Sequence, residues 1–292
     1  MASKAVHIEL AENLTTRAFI DVYDRFTSRR GICAILYSDN GTQFVGANKQ
    51  LQLDLAEWSN TQAKQHVAAV GTKWRFIAPA APHHGGLWEA AVRSAKIHLY
   101  RTIGRQTLRF IELSTLLTRI EACFNSRPLV ALHDDPEGGL ALTPGEFLIG
   151  RPLVSRPEPA VPDVPENSLK YWQRLQRMYE HFWKRWQQNY LTSLQARGKW
   201  VRPHPNLQRG DVVLILNENL PPAHCRMARV IDVHPGDDGL VRVVTVEYNS
   251  DKRTDEGLYV KHRCQRPVQK LCRLTGPNEE ILNRDGLAGQ DV

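Results

Sequence analysis

The sequence predicts an α/β fold followed by a smaller β-rich part. Over the first 125 residues, short runs with strand patterning alternate with amphipathic helical runs, the order expected of a layered α/β structure. Residues 151–167, RPLVSRPEPAVPDVPEN, carry five prolines and read as a linker or extended arm. Beyond them, several short β segments follow one another, as in a small barrel. The expected division is therefore 1–150, the proline-rich 151–167, 168–275, and a tail, 276–292.

The elements follow in order. Val6, Ile8 and Leu10 alternate on one face, predicting a strand over 5–10. Thr15 or Thr16 can cap a helix to about Arg29, with Phe19, Val22, Tyr23 and Phe26 on one face and Gly31 as its stop. Ile32–Tyr37 reads as a buried strand that breaks at Asp39-Asn40-Gly41. Leu51, Leu55 and Trp58 share a helix side, and residues 73–78 read as a further strand. Pro79 and Pro82 bracket the loop PAAPHHGG. Helices over 87–103 and 110–124 follow, the second closed by Asn125-Ser126-Arg127-Pro128. After a helix in 168–202, β segments are expected at 210–216, 227–234, 239–248 and 267–274, with HPGDDG as a turn.

Apolar residues make up 42% of the chain and charged residues 24%, which fits a globular protein and excludes a disordered one. The net charge of +7 favours polyanionic partners such as nucleic acid, although an ordinary basic protein has the same signature. Five scattered cysteines without a Cys-x-x-Cys pair argue against a disulfide framework and a zinc ribbon. Cys225, Cys264 and Cys272 lack zinc spacing with His224 or His262. The first residues have no apolar core of signal-peptide length, and no run approaches a membrane span. The expected location is nuclear or cytoplasmic, away from membranes.

Asp39 raises the chemical question. On its own residues it either only makes the turn or sits at a strand end where α/β sheets place their chemistry. Glu89 is the second carboxylate, fifty positions on, in the first turn of the helix after His83-His84-Gly85-Gly86. A helix-start acid favoured by the macrodipole is the plainer reading. The paired glycines make a pliant loop directly before it, as a loop moving around a substrate requires. A strand-end Asp with a helix-borne Glu is how two-metal phosphoryl-transfer sites are built, with hard oxygen ligands holding two Mg²⁺ roughly 3.5–4 Å apart. Such sites generally need a third carboxylate.

AVHIEL, YSDNGTQFVGA, APHHGGLWEAAVRSAK and FNSRPL…LTPGEFLIGRPL together resemble the integrase core of Pao/BEL-type retrotransposons. HFWKRWQQNYLTSLQARGKW, GDVVLILNENLPP and RVIDVHPGDDGLVRVVTV resemble the domain that follows that core in the same polyproteins. The resemblance implies a ribonuclease H-like core with Asp-Asp-Glu polynucleotidyl transfer, followed by an SH3-like barrel. It makes Asp39 the second Asp and Glu89 the Glu, both Mg²⁺ (or Mn²⁺) ligands. Asn40 and Gly41 match the turn beside the site, and His83, His84, Gly85 and Gly86 its loop. Asn125 and Arg127 match a helix end that is structural. The first Asp, on the strand before AVHIEL, has no counterpart, nor has an upstream His/Cys zinc domain, and Asp21, Asp24 and Asp54 are poor substitutes. The expectation is an N-terminally truncated polypeptide of impaired activity. Its partners by resemblance are element ends and target DNA, chromatin being a further one, with a homo-oligomer as the working state.

Residues 168–202 hold eight Lys or Arg against one acid, Glu180, and four of the seven tryptophans. Trp172, Trp183 and Trp186 either pack on a neighbour beneath a solvated basic face, or the segment binds nucleic acid with Lys184, Arg185, Arg197 and Lys199 on phosphates. The functions in contention are DNA integration, a non-catalytic DNA- or chromatin-binding module derived from an integrase, and a ribonuclease H-like nuclease.

Overall fold

The computed structural model describes residues 3–59, 72–77, 86–131, 141–153, 155–195, 205–216, 220–253 and 259–274. It is a mixed helix and sheet structure. The chain forms two compact units, His7–Thr118 on the one hand and Met1–Val6 with Arg119–Val292 on the other.

The 7–118 unit begins with an extended run. The alternation in 5–10 predicted a strand, but no ladder forms there; extended backbone becomes a strand only beside a partner strand. The run is held by side chains. Glu9 accepts from Arg25 Nε at 3.0 Å and from Arg29, and Arg25 Nη2 donates to the Leu10 carbonyl at 3.2 Å. Helix α1, Thr16–Arg30, has the expected limits: Thr15 Oγ1 accepts from Ala18 N at 3.2 Å, and Gly31 closes the helix at φ 84°. Strand β1, Ile35–Ser38, pairs in parallel with β2, Lys73–Phe76, in a two-stranded sheet. With one partner strand, β1 is only half-covered: Ile35 and Tyr37 are exposed and Ser38 is buried, where a buried strand was expected. Helix α2, Thr42–Ser59, packs against α1. A Cβ on Gly46 would run into Thr16 Oγ1, so the close approach of the two helices requires glycine there. Phe19 of α1 meets the Phe44 ring edge-on at 5.0 Å and the Trp74 ring at 5.5 Å, which ties both helices to β2. Helix α3 spans Gly86–Ile103. Helix α4, Phe110–Asn125, runs across the division between the units.

The second unit opens at the C-terminal end of α4. Asn125 is fully buried, and its amide works like a strip of neighbouring strand: Oδ1 accepts from Val6 N at 2.8 Å and Nδ2 donates to Val6 O at 2.7 Å. Arg127, also buried, donates to the carbonyls of Lys4 and Phe124; burial lowers its pKa. Strands β3, Val130–Ala131, and β4, Ala141–Leu142, form a short antiparallel pair. Helix α5, Pro144–Ile149, starts with proline at its first position, where no amide donor is needed, and Glu146 reaches back to Thr143 N at 3.0 Å.

The proline-rich stretch is an arm lying against helix α6, Tyr171–Leu194. Gln176 Nε2 donates to Pro159 O at 2.7 Å, Arg177 donates to the Pro162 and Val164 carbonyls, and Ser155 shares a 2.8 Å hydrogen bond with Tyr179. Arg119 joins the same place. Its guanidinium lies 4.0 Å from the Tyr179 ring centroid and donates to Glu158, which Arg156 also bonds. The arm belongs with α6 in one compact unit, which takes in the chain from Arg119 onward.

One arc of α6 is core. Leu175, Met178, Tyr179, Phe182, Trp183, Trp186 and Leu191 are buried. Phe124 meets Phe182 and Trp186 edge-on, at 5.8 and 5.2 Å, and Trp186 stacks on Tyr190 at 5.2 Å. Trp172 was expected in this packing; it lies at the helix start and is 48% exposed.

The remaining elements make one antiparallel sheet: β5, Val212–Ile215; β6, Arg226–Pro235; β7, Val241–Arg253; β8, Tyr259–Pro267; and β9, Leu271–Arg273. The order is β8-β7-β6-β5-β9, so the last strand returns to the first. Strand β8 carries no apolar run, which is why no segment was expected at 259–267. β5 is buried on both faces, as its continuous apolar run VVLI requires. Val213, Ile215, Ala228, Val230, Val244 and Val246 fill one face. Val212, Leu214, Cys272 and Leu274 pack with Leu191 of α6 on the other. Among the described residues the sheet stays open, with β8 and β9 as edges.

Replacing Asn125 with alanine leaves the Val6 N–H and C=O without partners. A loss of about 2 kcal/mol or more in urea unfolding is expected. For Glu158, burial raises the carboxyl pKa, but hydrogen bonds and charge from Arg156 and Arg119 outweigh it, so the folded pKa lies below the ordinary 4.5. A depressed acid stabilises above its unfolded pKa and loses that contribution as pH falls through the folded value. The urea midpoint is expected to drop between about pH 5 and pH 3, with a shallower drop in Glu158→Gln. Burial pushes the thiols of Cys123 and Cys272 up to about 12 and that of Cys225 up to about 11. Iodoacetamide on the native protein at pH 8 is expected to spare these three and to reach only Cys33 and Cys264; modification of Cys123 without unfolding would contradict the packing.

Candidate active site and nucleic-acid interface

Asp39 follows the last residue of β1, and the sheet fixes where it stands. Ile77 N donates to Ser38 O at 3.0 Å, extending the β1–β2 register by one bond beyond the strands. The Asn40 side chain donates from the other side of the turn to Ile77 O at 2.9 Å. The buried Ser38 hydroxyl accepts from Trp74 Nε1 at 2.8 Å and donates to Asp39 O at 2.8 Å. Trp74 is in turn stacked on Phe76 at 5.7 Å. The peptide carrying Asp39 is thus bolted to the neighbouring strand and to the aromatic core behind it.

The carboxylate itself is exposed. Its Oδ1 accepts from Gly41 N at 2.9 Å, an Asx-type turn that aims the side chain back over the loop. A Cβ on Gly41 would sit 3.0 Å from that same oxygen, so the turn as built favours glycine. The Gly41 carbonyl accepts from Phe44 N and Val45 N, which starts α2 directly after the turn. Asp39 makes the turn, and its carboxylate is exposed at the end of the strand.

Glu89 belongs to the same unit, in the first turn of α3, which begins at Gly86. The side chains of residues 86–91, and His83, His84 and Gly85 altogether, lie outside the described part of the structure. Asp39, Asn40 and Gly41 are therefore brought together, and Glu89 is placed by its backbone alone. A carboxylate at a strand end and another in a helix first turn are donors of the type Mg²⁺ takes. Among the described residues no group of three or more His, Cys, Asp or Glu comes together as a metal cage. Cys225 and Cys272 are spent on the core: Gln187 Nε2 lies 3.6 Å from Cys225 Sγ, and Cys272 Sγ donates to Leu191 O at 3.0 Å.

Lys184 and Arg185 lie on α6 and are exposed; Arg197 and Lys199 fall outside the described residues. Trp183 and Trp186, which flank them in sequence, point into the core and cannot stack on bases. The buried rings fit the packing reading, and the opposite face of the helix carries the exposed cations. Lys170 and Arg174, four residues apart and not among the candidates read from the sequence, are exposed on the same side as Lys184. No helix among the described residues is long and apolar enough to cross a membrane.

Residues 170–274 match a family described as a family of unknown function, DUF5641. The matched span starts at the residue before α6 and ends just after β9, so it takes in the helix and the whole five-stranded sheet. No curated protein matches the chain.

Proposed function

We propose that this chain is an integrase-type protein of the Pao/BEL retrotransposon lineage, one that binds DNA and takes part in Mg²⁺-dependent joining of element ends to target DNA. The observation that carries the reading is the exposed Asp39 carboxylate at the end of a strand paired in parallel, held there by Ser38, Trp74, Asn40 and Gly41. Glu89 in the first turn of α3, within the same unit, supplies the second carboxylate. In this reading the 7–118 unit is part of a ribonuclease H-like core. The sheet whose fifth strand returns to the first, with bulges that increase its twist in the β6–β7 pair, is the SH3-like part.

Asp39 and Glu89 would hold Mg²⁺, and a third acid completes such a ligand set. When bound, the metal makes the attacking hydroxyl more acidic and stabilises the departing oxygen. The chain's own residues prepare this. Gly41 N fixes one oxygen of Asp39 and leaves the other for a ligand. The Asn40 bond to Ile77 holds the loop against the sheet, so the carboxylate needs no rearrangement before it acts.

A second reading, a DNA-binding module without catalysis, is favoured by the exposed cations of α6, which need no metal to act. One pair of assays on the full chain decides. Glu89→Gln and Asp39→Asn are expected to lose Mg²⁺-dependent cleavage and joining of duplex ends on the order of 100-fold. Activity equal to the parent in both variants overturns the catalytic reading. Metal-independent DNA binding with no cleavage or joining by the parent leaves the binding module, and cleavage without joining makes the chain a nuclease.

A further inference from the structure

On α6 the apolar and cationic residues separate by angle. With 3.6 residues per turn, Lys170, Arg174, Arg177, His181, Lys184, Arg185 and Gln188 fall within an arc of about 100°, opposite the buried arc. From Lys170 to Arg185 this stripe runs about 22 Å along the helix. The one acid of the helix, Glu180, is off the stripe and accepts from Gln176 at 2.9 Å. Arg177 is committed to the proline arm through the Pro162 and Val164 carbonyls.

Several other cations of this unit have carboxylate partners. Arg119 and Arg156 pair with Glu158, Arg242 with Asp238, Lys261 and Arg263 with Glu247, and Arg273 with Asp211. Among the described residues no carboxylate stands against Lys170, Arg174 or Lys184. Like charges three and four residues apart on a helix cost stability. For Lys170, Arg174 and Lys184 no ion pair among the described residues offsets that cost, whereas an external polyanion would.

We propose that the exposed arc of α6 is a docking surface for the phosphate backbone of duplex DNA, read without regard to base sequence through Lys170, Arg174, Lys184 and Arg185. This deepens the DNA-binding part of the function proposed above and rests on it. The duplex is favoured over a single strand on two grounds. The stripe is straight and fixed over about 22 Å, and a duplex presents a rigid line of charge, about one per 1.7 Å of axis. Base stacking by a single strand needs exposed rings, and the rings beside the stripe, Trp183 and Trp186, are buried; Tyr171 and Trp172 are exposed only at the helix start.

The test is fluorescence anisotropy of a labelled duplex of about two helical turns with the full chain in EDTA, over a range of salt concentration. The plot of log K against log salt is expected to flatten by about 0.9 for Arg174→Ala and by about 1.8 for the Lys184→Ala/Arg185→Ala double variant. Scrambling the duplex sequence is expected to change nothing, and a single strand of equal length to compete poorly. All these side chains are exposed, so unchanged thermal melts confirm that the variants fold. Unchanged slopes in both variants overturn the proposal, as does a single strand binding as well as the duplex or no binding by the parent. With EDTA present the outcome is independent of Asp39 and Glu89. Duplex binding by the parent, with no Mg²⁺-dependent chemistry, would overturn the catalytic reading and leave the stripe standing.

Discussion

The burial of one arc of α6 is the constraint on which the 119–292 unit depends. Phe182, Trp183, Trp186 and Leu191 need an apolar partner, and they find it in two places. Phe124, at the end of α4, meets Phe182 and Trp186 edge-on, and Leu191 joins Val212, Leu214 and Cys272 on the back of the sheet. The helix is thus the piece through which the Asn125–Arg127 turn, the proline arm and the five-stranded sheet become one body. Removing the rings would leave voids in this core, and core truncations of this kind cost about 3–5 kcal/mol each. The same burial fixes the other side of the helix: a helix anchored along one arc presents its opposite arc in a set orientation, and that arc carries the cations.

The local punctuation of the fold was legible in the sequence. Thr15 and Gly31 bracket α1, the HPGDDG turn joins β6 to β7, and the aromatic spacing in 168–194 marks the long helix, because each is a short-range effect of one or two side chains. What the sequence did not disclose depends on partners distant in the chain. The alternation of Val6, Ile8 and Leu10 specifies an extended backbone but not what bonds to it; for Val6 the partner is the Asn125 amide, 119 positions away. The prolines of 151–167 read as a linker or extended arm, but nothing local shows that Gln176 and Arg177 bind the arm's carbonyls. β8 is a polar strand whose place is set by its ladder with β7, from Tyr259 opposite Arg253 to Pro267 opposite Val243, so pattern alone passed over it.

The candidate site divides in the same way. Asp39-Asn40-Gly41 was recognisable as a turn after a strand, and the turn chemistry is what the structure contains. How it is held was not recognisable, since the bonds come from Trp74 on β2 and from Ile77 just after it. Spacing alone also could not tell which cations of the basic segment face outward; that follows from which arc the tryptophans take.

The most direct test of the functional account is where a paramagnetic divalent ion settles on the protein. Mn²⁺ titrated into the isotope-labelled chain should broaden the amide resonances of residues 39–41 and of the first turn of α3 before any others, and Asp39→Asn should remove that broadening. Broadening centred elsewhere, or unchanged by Asp39→Asn, would show that the strand-end carboxylate makes a turn and nothing more.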